Sequence, residues 1–355
     1  MLSHKRIYTT ISVVGLILLW GIMYTNGGLQ AMSNTAISGV FPDNSTLQTK
    51  HVGIFPLDLQ LNILIAFFAS VSKLHGVDAG PYIMLLDLTT ALLAINMAVL
   101  VESRRRSGIW LRSPALWQYA WNCGGVAAFL PIWCLLYVTQ RDTKVAVPMP
   151  PADSHTFPLT ALLSILLEAP LLLPAWMGWS STNIQMGVVH FFCGPPIFSG
   201  FQALVSQIVA LTHNQRSMAS SKSGIRTAYF ITGSITGVVH LGSILFILVS
   251  SPPGLSLSRV YFPHSNLIQI GEPNILVEAA FQFLQYDYII MNATILVLGT
   301  HLIRTKPGNL FTTVTRKPGS LVTFYGLTAL LGPGASMAYA MSCEEDFSDV
   351  SGTKK

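Results

Sequence analysis

Residues Asn274 to Thr300 read NILVEAAFQFLQYDYIIMNATILVLGT. As a helix rising 1.5 Å per residue, this stretch is about 40 Å long, enough to cross a bilayer core of about 30 Å. It nevertheless carries Glu278, Gln282, Gln285 and Asp287 among Phe281, Phe283, Tyr286 and Tyr288. An ionisable side chain inside a spanning helix is expensive, so it turns to the bundle interior and marks a site. Carboxyls beside aromatic faces can give a proton to a hydrocarbon and then stabilise the carbocation that results. The plainer alternative is that these groups only hydrogen-bond neighbouring helices.

The rest of the chain has the same character. Of 355 residues, 51% are hydrophobic and only 10% charged, with mean hydropathy +0.53, against about 25% charged in soluble proteins. The reading is an all-α, polytopic transmembrane helix bundle forming one domain over 1–355, with a flexible tail at about 343–355. The net charge of +5 is spread over connecting loops, so it carries topology rather than a nucleic-acid surface. Four cysteines without a CxxC pair read as small apolar side chains rather than a metal or disulfide framework.

Apolar length gives spans at about 7–24, 55–74, 81–101, 115–138, 157–177, 184–211, 227–250, 274–302 and 319–341. Two of these are ambiguous. The span at 55–74 opens with Pro56 and Asp58, and that at 157–177 holds Glu168, Pro170 and Pro174, so a re-entrant or interfacial segment would leave eight. Lys5 and Arg6 place the N-terminus inside, with the first span read as a retained signal anchor. Nine crossings then put Arg104-Arg105-Arg106 outside, against the positive-inside tendency. The polar connection 29–52 contains the sequon Asn44-Ser45-Thr46, a glycosylation acceptor if lumenal.

Glu278, Gln282 and Gln285 recur at i, i+4 and i+7 and share a face. Asp287 lies nine positions from Glu278, which at 100° per residue turns it to roughly the opposite side. The two acids are therefore separate groups rather than a dyad. Asp287, between Tyr286 and Tyr288, is the preferred proton donor, with Glu278 second, and Phe281, Phe283, Tyr286 and Tyr288 are the expected cation shield. Asp87, Glu168 and His190 are expected to orient the donor or accept the final proton; helix–helix hydrogen bonding is the alternative for each. His240 sits in a Gly-Val-Val-His run echoing that of His190.

No GxxxxGK[ST], GxGxxG, HExxH or GxSxG is present. The chain also lacks the DDxxD and DxDD motifs, so carboxylate ligands for a Mg²⁺-bound diphosphate are missing. No metal or other cofactor is called for, and proton-initiated chemistry on a neutral lipid needs only an acid, an apolar cavity and aromatic walls.

In length, hydropathy and the placing of acids in spans, the chain resembles the membrane-bound terpene cyclases of fungal meroterpenoid pathways, above all those of ascochlorin/ascofuranone and macrophorin biosynthesis. The likeness covers the whole chain, with 278–287 its most distinctive stretch, and rests on overall pattern, so no residue roles are carried over. It implies cyclisation of a farnesylated precursor, triggered by protonation of a terminal alkene or epoxide. The expected partners are a lipophilic prenylated small molecule and membrane lipids, with no nucleic acid and no obligate protein partner, in the endoplasmic reticulum. The rival expectation is a proton-coupled transporter of a small hydrophobic metabolite, using the same buried acids.

Overall fold

The computed structural model describes residues 2–72, 78–106, 108–143, 147–212, 222–250, 254–305 and 319–345. Among the described residues there is no strand, only an isolated bridge between Val40 and Thr46. Helix α1 (Leu2–Leu16) runs through a π-helical turn, Ile17–Gly21, into α2 (Ile22–Thr25). There follow α3 (Gly28–Ser38), α4 (Phe55–Ser72), α5 (Gly80–Arg105), α6 (Pro114–Gly124), α7 (Val126–Thr143) and α8 (Pro151–Trp176). The chain continues with α9 (Ser181–Phe192), α10 (Gly194–Thr212), α11 (Lys222–Ser250), α12 (Leu257–Tyr261), α13 (Ile275–Arg304) and α14 (Gly319–Glu345).

Eight helical stretches are long and apolar enough to cross a membrane. Large apolar side chains such as Ile17, Leu166, Leu211, Phe230, Val238 and Val249 are exposed on them, the pattern of a bundle solvated by lipid rather than water. Helix α5 is the central rod, apolar almost all round and buried along nearly its whole length. The chain is thus a multi-pass membrane bundle.

Several expected segments take another form. The spans at 115–138 and 184–211 are each broken in two, at Gly125 and at Cys193-Gly194. Gly125 adopts φ +94°, a region that disfavours residues with a Cβ. Gly332, with φ 77°, breaks α14 in the same way just before Pro333. The polar connections 29–52 and 251–273 hold helices α3 and α12. Helix α14 runs to Glu345, so residues 343–345 of the expected tail are helical, and 346–355 lie outside the described residues.

The contacts define two ends. At one, the His4 and His301 rings lie 4.4 Å apart and Arg141 Nε binds Glu344 at 2.6 Å. Arg105 forms a two-pronged pair with Glu345 at 2.6 and 2.5 Å, and Arg104 approaches Asp153 at the start of α8. At the other end Arg259 joins Asp78 and Glu278 at 2.7 and 2.6 Å. Asp58 there accepts from the backbone N–H groups of His51, Val52 and Gly53.

Helix α4 begins at this second end, and Asp78, just before α5, lies there too, so α4 does not carry the chain across. Helix α14 also returns. Tyr325 meets Thr300 at 2.8 Å while Glu344 is tied through Arg141 to Thr305, and the bend at Gly332 lies against His240 at mid-bundle. The α6–α7 pair is likewise a hairpin dipping in from the first end. Helix α5 therefore brings Arg104-Arg105-Arg106 to the same end as Lys5 and Arg6, which corrects the expectation that these arginines lie opposite. Arg112, Arg141 and Arg304 are at this end as well.

Replacement of Gly125 by Ala forces a Cβ into Leu19 at a left-handed position. The expected cost is about 1–3 kcal/mol, read as a lower melting temperature of the detergent-solubilised protein; an unchanged melting temperature would show that the hairpin tip is not tightly held.

Candidate active site

The hairpin tip forms one wall of an apolar slot in the bundle. Trp20, Met32, Phe67, Phe68, Leu88, Leu92, Trp121, Phe191, Phe283 and Leu284 line it, together with Asp287. The space between atoms there totals about 590 Å³, of which about 50 Å³ admits the centre of a water molecule. It is narrow, with a shape suited to an extended hydrocarbon. Edge-on packing fixes the rings: Trp20 on Phe283 at 5.4 Å, Phe67 on Phe283 at 5.1 Å and Phe68 on Phe192 at 5.5 Å between centroids.

Asp287 is the one acid in this lining. Its Oδ1 accepts from the Ala127 N–H at 2.6 Å and its Oδ2 from the Val126 N–H at 3.1 Å. The carboxyl therefore closes the N-terminus of α7, where free N–H groups and the helix dipole favour negative charge. The carbonyl of Gly124, freed where α6 stops, accepts from the Trp20 indole at 2.9 Å. Trp20 sits in the π-helical turn, the kind of local bulge that re-aims a side chain into a site.

The acids do separate as the helical spacing predicts. Glu278 pairs with Arg259, and the Gln285 amide donates to the carbonyls of Arg259 and Val260 at 2.7 and 3.0 Å. That face docks α12 instead of lining a cavity. Burial opposes charge on Arg259, but Glu278 and Asp78 outweigh it and hold the guanidinium above its usual range. Phe281 lies beneath this guanidinium, 4.6 Å from its ring centroid.

A second polar cluster joins four elements. His240 Nδ1 lies 2.7 Å from Asp87 Oδ2, the Tyr261 hydroxyl donates to the same oxygen at 2.9 Å, and the Tyr288 hydroxyl lies 3.1 Å from His240 Nδ1. Burial first, and then the Asp87 carboxylate, push the Tyr261 phenol far above its usual range, so it stays a donor. Asp87 and Tyr288 therefore belong to this cluster and lie outside the slot lining.

Glu168 occupies a side chamber with Asn96, Gln118, Asn122, Ser164 and Phe198. Asn122 and Phe191 line both this chamber and the slot. The backbone freed by Pro170 does not take up the acid, since Glu168 Oε2 has no hydrogen-bond partner. His190 is exposed in a groove between α8 and α9, its Nδ1 bound to the Met186 carbonyl at 2.8 Å, away from both chambers. Tyr286 packs on the core outside the slot.

Of the four expected shielding rings, only Phe283 faces the slot. Sequence reasoning missed Trp20, Phe67, Phe68, Trp121 and Phe191, which come from four other helices; indole rings at positions 20 and 121 within apolar runs were the available signal. Arg259 and Tyr261 were missed as members of a supposed loop, where Ser256 capping the Arg259 N–H at 3.0 Å was the trace of α12.

This chain is similar to proteins named "Terpene cyclase DEP1" from Alternaria brassicicola, 28% identical over 94% of this chain and 96% of the relative, and from Fusarium langsethiae, 25% identical over the same shares. It also resembles "Terpene cyclase alnG" from Emericella nidulans, 24% identical over 87% of this chain and 85% of the relative. No solved structure matches it. The CtvD domain matches residues 4–346, and the chain belongs to the CtvD domain family.

Proposed function

We propose that this chain is a membrane-bound terpene cyclase, acting on a farnesylated meroterpenoid precursor by protonation of its terminal alkene or epoxide. The observation that carries this reading is the aromatic slot with the Asp287 carboxyl in its wall. Such a slot removes a prenyl chain from water and from lipid. The faces of Trp20, Trp121, Phe67 and Phe283 then attract the positive charge that develops as rings close. The names borne by the relatives support the same reaction class.

Both Asp287 oxygens are held by N–H groups, which assigns this residue less to proton donation than to the negative charge that faces the cation and receives its last proton. Preorganised charge of this kind costs no reorganisation during reaction. Glu278, held by Arg259, is a structural tie in this scheme. Asp87 with His240 fixes α5, α11 and α13 behind the slot. His190 plays no part. The substrate dissolves in the bilayer, so residence in the endoplasmic reticulum membrane, with the arginine-rich end in the cytoplasm, suits its supply.

The test is to express the chain in a host lacking such pathways and supply a farnesylated phenol or cyclohexenone, with and without the terminal epoxide. The expected result is a product of unchanged mass and altered retention. No conversion of either substrate by inserted protein would sink the cyclase reading and favour transport.

Asp287→Asn should lower turnover about 100-fold or more in protein that remains monodisperse in detergent. His190→Ala should stay within about twofold of the parent, and Glu278→Gln within about tenfold. Loss of turnover in His190→Ala with Asp287→Asn still active would place the chemistry in the α8–α9 groove instead.

The positive-inside orientation puts Asn44, exposed on its turn, in the lumen. Expression in a eukaryotic host should therefore give a glycosidase-sensitive band shift that Asn44→Gln abolishes; an unshifted parent protein would argue for the opposite orientation or for an unused sequon.

A further inference from the structure

The side chamber brings together three buried polar atoms that no protein group satisfies: Glu168 Oε2, the Gln118 side-chain nitrogen and the Asn96 side-chain oxygen. Glu168 is 8% exposed and Gln118 4%. Leaving such groups unpaired costs about 1–3 kcal/mol each, and three in one small chamber do not arise from loose packing. About 20 Å³ there admits the centre of a water molecule, and one water needs about 10–15 Å³ with two to four polar partners. The chamber supplies a carboxyl, an amide donor and an amide acceptor around that volume. Its wall is the slot's wall, through Asn122 and Phe191.

We propose that Glu168 is the proton donor of the cyclisation, kept in position by a water molecule held between Gln118 and Asn96. This rests on the cyclase reading above and divides labour between the two acids. Asp287 has both oxygens committed to the α7 N-terminus, whereas Glu168 has an uncommitted oxygen in a chamber opening on the prenyl slot. The Glu168 O–H bond breaks as its proton joins the terminus of the chain, leaving the carboxylate. The electron-deficient carbon formed is attacked by the next alkene, whose π pair makes the new C–C bond. When ring closure ends, a C–H bond adjacent to the last cationic centre breaks, its electron pair forms the product alkene, and its proton goes to Asp287. Transfer of a proton from Asp287 back to Glu168 through water resets the site. One proton enters and one leaves, so the product is an isomer of the substrate and no oxidant is consumed. Gln118 and Asn96 are positioning residues.

The experiment compares the full-length parent protein with Glu168→Gln, Glu168→Asp and Gln118→Leu in detergent, using the prenylated substrate that the parent converts. Glu168→Gln should lose about 100-fold or more in kcat and Glu168→Asp should recover part of it. Gln118→Leu should lower kcat several-fold, leave KM within about twofold and shift the pH profile of kcat, which a merely structural residue would not do. Infrared difference spectra between acidic and basic media should show a carboxyl band missing from Glu168→Gln, a readout independent of turnover that also shows the variant is folded. Parent conversion with full activity in Glu168→Gln would overturn the assignment of the donor while leaving the cyclase reading intact. Absence of conversion by the parent would instead strike the cyclase reading itself.

Discussion

Everything near the slot depends on a single constraint: peptide groups inside a bilayer have no water to bond, and each unsatisfied one costs several kcal/mol. A straight spanning helix meets this constraint by itself. A chain that stops halfway does not, because a helix end leaves up to four N–H or C=O groups open. This bundle stops inside at Gly125, at Cys193 and at Gly332. At the first break, Asp287 accepts two N–H groups of α7 and Trp20 donates to the carbonyl left by α6. At the second, the Tyr119 hydroxyl donates to the Phe192 carbonyl at 3.1 Å. The polar and aromatic side chains that close these breaks are the ones that wall the slot.

The broken helices thus create the site rather than merely surrounding it. Uninterrupted helices would present only side-chain tips to a central cavity. A hairpin tip brings α7's N-terminus to mid-bundle, where α13 can set a carboxyl against it. Discontinuous helices at mid-membrane provide charge-bearing backbone ends in other membrane folds too. The bend at Gly332 serves the neighbouring cluster, since a Cβ there would strike the His240 ring, and His240 is held to Asp87 and Tyr288.

Much of this was legible in the sequence, for identifiable reasons. Apolar length located α5, α8, α11 and α13 to within a few residues, because span length is fixed by the bilayer. The helical spacing of Glu278, Gln282, Gln285 and Asp287 correctly put Asp287 on the opposite face. The breaks were not legible. Apolar residues flank Gly125 and Cys193 on both sides, so hydropathy reads straight through a change of direction. The role of the Glu278 face was misjudged for a related reason. Its partner Arg259 lies on α12, inside a connection rich in Pro, Gly and Ser, and spacing along one helix carries no information about what packs against it.

The charged residues show how one undetected reversal propagates. Treating α4 as a crossing inverts every later segment, which stranded Arg104-Arg105-Arg106 on the side opposite Lys5. With α4 returning to its own end, α5 runs the other way and these arginines meet Glu102, Glu345 and the neighbouring Arg141–Glu344 pair. Side-chain pairing and the positive-inside tendency then agree. Such pairs, largely buried, add little by themselves, since desolvation offsets most of their attraction. Their effect is to fix the ends of α5, α7 and α14 relative to one another. Both re-entrant units that reach the interior from this end, α6–α7 and α14, are anchored there by Arg141–Glu344, and the depth at which Gly125 meets Asp287 follows from that anchorage.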